Sequence, residues 1–551
     1  MTATRPVIGW IPDDLNPLDI ETICELLDHC CEQYGSKPVF TSLGLTITYN
    51  ELNELSAAFA HYLQTETTLQ RGDRIAVQLP NIVQYPVVLF GALRAGMVVV
   101  NTNPLYSSRE MEHQFKDSGA KALIIYQCMA HNAEKILANT DIEYVLLTQL
   151  GDLHGFAKRH LLHCVVKYVK KMEPPFSLPN AKSLRNVLQQ HTGTQPKPVI
   201  VNSDSAAVLQ YTGGTTGVAK GAELTHANLI SNLLQGVSRV REAGEDWADT
   251  VISPLPLYHI YAFTLAQAVM YCGGHSVLIP NPRDIPGFVK EIRKWQFSTF
   301  LGLNTLFLAL CRDPGFSSVN FNKLRVTASG GMALTQTAAE LWESVTGSKI
   351  IEGYGLTETA PIVTLNPPGS EIIGTIGPAL THTKIRIVDT QGKDVEIGNS
   401  GELCVWGPQV MVGYWKREKD TRESFTEDGY FKTGDIAIQH ADGYFSIVDR
   451  AKDLIIVSGF NVYPNEVENV IFQHPDIVEC AVIGIPDELT GESVKLFAVK
   501  SNDDLTEDEL RQWCRDQLTP YKIPKQVVFA EALPKSNVGK ILRRELRDYA
   551  A

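Results

Sequence analysis

"AVLQYTGGTTGVAKG", residues 207–221, joins an apolar stretch to a loop crowded with glycine, threonine and one lysine. The apolar part reads as a strand, and Thr225 can cap a helix beyond the loop. Gly213, Gly214 and Gly217 permit turns closed to larger residues and let backbone amides approach a ligand. Thr212, Thr215 and Thr216 add hydroxyls, and Lys220 adds a positive charge. This is the chemistry of a phosphate cradle, but not the Walker pattern, in which Gly-Lys-Ser/Thr closes the loop. Here Lys220 precedes a glycine and no hydroxyl follows it. Alone, the stretch could also be an ordinary glycine-rich turn.

The same strand–helix rhythm extends on both sides. "RIAVQL" (residues 74–79) reads as a strand, residues 86–94 as a helix, and "MVVV" (residues 97–100) as the next strand. Ser108 can cap a helix leading to the strand "ALIIY" (residues 122–126). The alternation returns from Ala206 to about Glu352. It predicts parallel sheets flanked by helices, with ligands at loops beyond the carboxyl ends of strands. From Gly374 to Asp449, "KIRIVD", "GELCVWG" and "YFSIVD" predict a small antiparallel β-barrel. Near Arg450, "LIIVSG", a helix from about Pro464, "CAVIGI", "VKLFAVK" and two later helices predict a compact α+β unit. The expected fold is α/β: a large N-terminal domain of two helix-flanked sheets plus the barrel, and a mobile C-terminal domain. The expected boundaries are 1–450 (about 1–200 and 201–370 for the α/β subdomains, about 371–450 for the barrel) and 451–551.

A chain of 551 residues exceeds one core. A net charge of −13 argues against general nucleic-acid binding. The ten cysteines show no metal-ligand spacing, which predicts a reduced, cytoplasmic protein. The first residues contain no apolar signal core, and the most apolar run, residues 86–100, is interrupted by Arg94 and two glycines.

Three further motifs follow in order. "EGYGLTE" (residues 352–358) makes a tight turn around Tyr354, a ring suited to stacking on a base. Its Thr357 and Glu358 supply a hydroxyl and a carboxylate, and one carboxylate plus phosphate oxygens is how Mg²⁺ is usually held. "YFKTGDI" (residues 430–436) places Asp435 after a strand and a glycine, where it could bind two ribose hydroxyls or simply sit in a hairpin turn. "LPKSNVGKILRREL" (residues 533–546) puts Lys540 in a turn before a helix, with Arg543, Arg544 and Arg547 reading as a solvated basic face.

Each motif has an ordinary reading; the four in this order resemble the adenylate-forming superfamily of acyl-CoA synthetases, luciferases and peptide-synthetase adenylation domains. The resemblance covers nearly the whole chain and looks strongest toward bacterial long-chain fatty-acid–CoA ligases. "GYFKTGDIAIQHADGYFSIVDRAKDLI" (residues 429–455) is similar to their long signature, as are "LPNIVQYPVVLFGALRAGMVVVNTNPLY", "SGFNVYPNEVE" and "LPKSNVGKILRRELRD". Two departures stand out: Ala219 replaces the usual proline of the phosphate loop, and Ala451 replaces a basic residue of the signature.

The resemblance implies ATP-dependent activation of a fatty acid, then transfer to CoA. It implies that residues Thr212 to Gly217, with Lys220, cradle the β- and γ-phosphates, and that Thr357 meets the α-phosphate. Glu358 would ligate Mg²⁺. Gly330, Gly331, Tyr354 and Gly355 would form the adenine slot, and Asp435, supported by Arg450, would hold the ribose. Lys540 would reach the carboxylate and the α-phosphate. His259 would lie beside the acyl carboxylate, although a histidine at an apolar helix start is more often simply packed. Phe263 would gate the acyl tunnel, although a core phenylalanine looks the same. Lys452 would be the hinge about which the last domain turns, and Gly459 would line the pantetheine passage. A homodimer is compatible with the resemblance.

Other readings remain open: a medium-chain or aryl-CoA ligase, a luciferase-like oxidase, or a membrane-associated fatty-acid sensor on an inactive ligase fold. Retention of Lys540, Asp435, Arg450 and Glu358 argues against the sensor. Residues 156–172, "FAKRHLLHCVVKYVKKM", read as a basic amphipathic helix. Leu161, Leu162, Val165, Val166, Val169 and Met172 fall on one face, with Arg159, His163, Lys167 and Lys170 on the other. This predicts peripheral contact with the inner face of a membrane, or else a surface helix packed on its own core.

Overall fold

Runs of Val, Ile, Leu and Ala too short for helices, each followed by a turn and an amphipathic segment, fold into parallel strands covered by helices. The computed structural model describes residues 10–212, 219–244, 246–458, 460–487, 489–515, 517–535 and 541–548. They form two compact units. The first comprises Met1–Ile373, Ala379–Lys384 and Trp406–Gly429; the second comprises Gly374–Pro378, Ile385–Val405 and Tyr430–Ala551.

The first unit holds two eight-stranded sheets. One runs, edge to edge, through Ile362–Leu365, Ile350–Gly355, Val326–Ser329, Thr299–Gly302, Thr250–Ser253, His275–Leu278, Pro38–Ser42 and Leu45–Thr48. Its interior pairs are parallel and its two outermost pairs antiparallel. The other runs through Gly413–Tyr414, Lys220–Thr225, Ala206–Thr212, Val98–Asn101, Arg74–Gln78, Ala120–Tyr126, Tyr144–Thr148 and Lys182–Ser183. Phe297, Phe300, Phe307, Phe316 and Trp342, all fully enclosed, anchor the core of the first sheet's helices.

Helix starts follow local chemistry. Thr225 caps His226–Val240 by accepting the Asn228 N–H, as expected. The helix Ser108–Ser118 is capped by Ser107 instead of Ser108. Glu110 lies three residues after Ser107, and the two complete a reciprocal capping box.

The basic segment departs from its helical-wheel reading. It is an α-helix only over Phe156–Cys164, and then passes into a π-turn over Val165–Val169. The added residue per turn rotates later side chains away from the α-helical face. Leu162 and Val166 turn inward, lining a small cavity with Tyr126, Cys128 and Gly151. Phe156, Leu161, Tyr168, Val169 and Met172 are exposed, among Lys158, Lys167, Lys170 and Lys171. Among the described residues no helix is long and apolar enough to cross a membrane. All ten cysteines are free thiols.

Lys384–Val388, Ser400–Trp406, Phe431–Gln439 and Phe445–Arg450, all but the terminal Lys384 and Trp406 in the second unit, form a four-stranded sheet in that order, with antiparallel pairing on both sides of Phe431–Gln439. The remaining strands build a second sheet on the long antiparallel pair Ile477–Asp487 and Gly491–Lys500, against which Pro464–Phe472 packs. Arg543 is not on a solvated face. Its guanidinium bonds Glu468 at 2.7 Å and Asn465 at 2.7 Å, while Arg547 bonds Asp453 at 2.8 Å. Buried carboxylates require such partners, and these arginines supply them. Burial, the largest influence, still pushes the Asp449 carboxyl beside them up to about 6.

Candidate active site

Residues 213–218 lie outside the described residues, and two strands flank them, where the sequence reading expected a strand and a helix. Ala206–Thr212 and Lys220–Thr225 pair antiparallel, with Thr212 opposite Lys220 and Tyr211 opposite Gly221. Gly213, Gly214, Thr215, Thr216 and Gly217 lie outside the described residues. Both flanks are tied to the helix Ser108–Ser118. The Tyr211 hydroxyl donates to Asp117 at 2.8 Å, and Arg417 donates to the other Asp117 oxygen at 2.6 Å. His113 Nε2 stands 2.9 Å from the Ala219 carbonyl. A carbonyl only accepts, so the proton of that bond sits on Nε2. Ala219 therefore has a tether at the position where the resembled family has proline.

Lys220 reaches Asp420 at 2.9 Å and lies 5.2 Å from the ring centroid of Tyr414. The hydrogen bond from Lys220 is the main reason that the Asp420 carboxyl is lowered from its ordinary value. The Tyr414 hydroxyl donates to Glu358 Oε1 at 2.8 Å. Burial, and then the Glu358 charge, raise that phenol well above its ordinary range, so it remains a donor. Glu358 is itself buried in the short 3₁₀ turn Thr357–Thr359, and its carbonyl accepts the Met411 N–H at 2.8 Å. Tyr414 thus joins the lysine of the glycine loop to the acid of "EGYGLTE".

Tyr354 and Gly355 end the strand Ile350–Gly355. A Cβ on Gly355 would lie 2.0 Å from the Pro361 carbonyl oxygen, so the close return of Ile362–Leu365 admits only glycine there. Gly330 and Gly331 follow the strand Val326–Ser329. Gly331 has φ +85°, and a Cβ on Gly330 would meet the Tyr261 ring at 3.2 Å.

His259 caps the helix Ile260–Tyr271, its Nδ1 accepting the Tyr261 N–H at 3.3 Å. Thr264 on that helix donates to the Ala360 carbonyl at 2.9 Å, tying it to the turn that carries Glu358. Phe263 is fully enclosed. The Tyr261 hydroxyl is buried with no hydrogen-bond partner among the described residues, facing the Gly330 side of this neighbourhood. Sequence reasoning missed Tyr261 and Tyr414. Tyr261, two residues after His259, carried a weak signal; Tyr414 carried none.

In the second unit, Asp435 lies within the strand Phe431–Gln439, not after it, and pairs in register with Arg450. Arg450 Nε meets Asp435 Oδ1 at 2.7 Å, the carboxylate being almost wholly buried. Lys452 follows in a turn. Its Nζ is enclosed with no hydrogen-bond partner among the described residues, and burial, then the Arg450 charge, push it down to about 8. Gly459 and Lys540 lie outside the described residues.

Comparison with known proteins shows what this arrangement is similar to. The AMP-binding enzyme family matches residues 27–415, and the AMP-binding enzyme C-terminal domain matches residues 466–540. A long-chain-fatty-acid–CoA ligase of Salmonella typhimurium is 49% identical over 543 residues, covering 98% of this chain and 96% of that one. One from Bacillus subtilis is 33% identical over 554 aligned positions, covering 99% and 98%. Among solved structures, ATP-bound MatB from Rhodopseudomonas palustris superposes with a TM-score of 0.82 at 28% identity, covering 96% of this chain and 98% of that one.

Proposed function

The chain belongs to the AMP-binding enzyme family, and we propose that it is a long-chain-fatty-acid–CoA ligase. The observation that carries this reading is near-full-length identity of almost one half to a ligase of that name. A fatty carboxylate is a poor electrophile because oxide cannot leave. One carboxylate oxygen attacks the α-phosphorus of ATP, the bond to the β-phosphate breaks, and pyrophosphate departs. The CoA thiol then adds to the carbonyl of the acyl-adenylate, AMP leaves with the electron pair, and the thiol proton passes to solvent or phosphate.

The residue roles rest on the motifs. Residues Thr212 to Gly217, with Lys220, take the outer phosphates; Thr357 takes the α-phosphate. Gly330, Gly331, Tyr354 and Gly355 surround adenine, and Asp435 with Arg450 binds ribose. Lys540 offsets the charge between two approaching anions, and no general base is needed for adenylation because the carboxylate nucleophile is already ionised. Lys220 already has a counter-ion in Asp420, so phosphate binding exchanges one anion for another. His259 positions the carboxylate. Phe263, enclosed in the helix beside it, must change rotamer if it is to gate an acyl tunnel. Lys452 is the hinge, and its enclosed ammonium, without a hydrogen-bond partner among the described residues, suits a residue whose surroundings change between two states. Gly459 passes pantetheine.

Glu358 would hold Mg²⁺ together with phosphate oxygens of ATP. Among the described residues no cluster of three or more acidic, histidine or cysteine ligands exists, and a single carboxylate sharing the ion with substrate is the donor set Mg²⁺ accepts. When bound, the ion supplies charge neutralisation on the phosphates.

Chain length is expected to govern efficiency. Each additional buried methylene contributes up to about 0.8 kcal/mol, or roughly fourfold. In a ladder scored for ATP–pyrophosphate exchange and for CoA thioester, kcat/KM should climb from octanoate to hexadecanoate. Preference for benzoate or acetate would overturn the long-chain reading.

Membrane contact is part of the proposal. The exposed Phe156, Leu161, Tyr168, Val169 and Met172 lie among lysines, the composition of an interfacial element on anionic lipid. Changing Lys167, Lys170 and Lys171 together to Glu should reduce co-sedimentation with anionic liposomes. Unchanged binding would retire the idea.

A further inference from the structure

Glu352 lies on the strand Ile350–Gly355, opposite Ser329, and none of the roles above uses it. It is only 7% exposed. Its carbonyl accepts both the backbone N–H and the side-chain N–H of Asn366, at 3.0 and 2.9 Å, which fixes its backbone. Its side chain crosses to the next connection, where Oε1 accepts the Leu334 N–H at 3.0 Å.

Leu334 ends the segment that begins at Gly330 and Gly331. The next residue, Thr335, caps the helix Gln336–Thr346 and gives both its N–H and its hydroxyl to Asn304 Oδ1, each at 2.9 Å. The helix end is therefore secured twice. The turn before it contains two residues without side chains, one of them at positive φ, and so carries little conformational restraint of its own. The Glu352 carboxyl supplies a restraint from the neighbouring strand. Glu352 and Tyr354 are two residues apart on that strand and project from the same face.

We propose that Glu352 is a positioning residue for nucleotide binding: its carboxyl holds Leu334, and through it the Gly330–Gly331 turn, in the place that receives the adenine end of ATP. This rests on the reading of that turn as part of the nucleotide site. The carboxyl works as a neutral acid. Burial is the dominant influence and raises it to about 8, against the Leu334 amide, which favours the charged form. Ser329 opposite it and Asn366 against its carbonyl carry no charge, and among the described residues no charged group contributes to the shift of the carboxyl. As pH rises through that value, a charge appears in a buried place with no counter-ion among the described residues and draws water or shifts the loop.

The test is ATP–pyrophosphate exchange with hexadecanoate, measured for the wild type, Glu352→Ala and Glu352→Gln from neutral pH to a unit above the carboxyl's value. Glu352→Ala leaves the Leu334 N–H without its acceptor and should raise the KM for ATP about tenfold, the scale of one lost buried hydrogen bond. The kcat and the KM for fatty acid should stay near wild type. Glu352→Gln keeps an acceptor oxygen without an ionisable proton. It should restore the wild-type KM at neutral pH and remove the rise that the wild type shows in alkaline solution. If Glu352→Ala fails to fold, the alkaline profiles of the wild type and Glu352→Gln decide alone: coincident profiles overturn the proposal. An unmoved ATP KM, or an equal rise for every substrate, also overturns it while leaving the ligase reading intact. Absence of exchange in the wild type would overturn both.

Discussion

Glu358→Gln is expected to slow acyl-adenylate formation by about a hundredfold, the scale seen when one charge-stabilising group is lost from an active site. The substitution removes one negative charge and little else. Glutamine retains an oxygen that can accept the Tyr414 hydroxyl, and the Met411 N–H bonds the backbone carbonyl, which is unchanged. The turn should therefore persist and the melting temperature should hold. The loss should be sensitive to Mg²⁺, with a higher concentration needed for half-maximal rate, because a neutral amide is a poor ligand for a hard cation. Tyr414→Phe keeps the charge but releases the carboxylate from its donor. It should cost about tenfold, in line with one hydrogen bond to a charged group. Exchange rates measured against Mg²⁺ for both variants separate the two effects. Full activity of Glu358→Gln at limiting Mg²⁺ would remove the acid from the mechanism.

Much of this site could be read from sequence because its parts are local. A lysine after a run of glycines and the acid of a Gly-Tyr-Gly motif are each legible in a few consecutive residues. What joins them is not local. Tyr414 lies 56 residues from Glu358, and only sheet formation, which pairs Gly413–Tyr414 with Lys220–Thr225, brings its hydroxyl there. That pairing was illegible for the same reason that the strand Lys220–Thr225 was. "KGAELT" carries neither a β-branched run nor clean alternation, and it becomes a strand because it sits beside Ala206–Thr212. Arg543 was misread in the opposite direction. Three arginines in one helix look solvated until three carboxylates, Asp449, Asp453 and Glu468, are found against one of them. The basic segment shows a third kind of miss. Its wheel assumed one pitch and one apolar face over residues 156–172, but Leu161 is exposed beside the inward Leu162 within the α-helical part, and Val169 and Met172, in and beyond the π-turn, are exposed as well.

Lys540→Ala should cut acyl-adenylate formation by on the order of a hundredfold or more, by analogy with other charge-stabilising groups. In that step two anions, a carboxylate and a polyphosphate, approach each other, and negative charge accumulates between them. A cation is needed there, and alanine offers none. The second step makes a different demand. The acyl-adenylate carbonyl is neutral and already activated, and a thiol attacks it, so conversion of preformed acyl-adenylate to thioester should be largely spared. Gly459→Leu should show the reverse. A branched side chain in the pantetheine passage obstructs the thiol while leaving ATP and fatty acid untouched, so adenylation continues and thioester fails to appear. Both positions lie outside the described residues, and the expectation rests on their motifs, "SNVGKILRREL" and "VSGFNVYP". Single-turnover assays decide it: one starting from ATP and hexadecanoate, the other from synthetic hexadecanoyl-adenylate and CoA. Opposite patterns in the two variants would mean that the half-reactions draw on separate residues of one chain. Equal loss of both steps in either variant would show that the assigned residue serves the fold, or both steps at once, and the division of labour proposed here would fall.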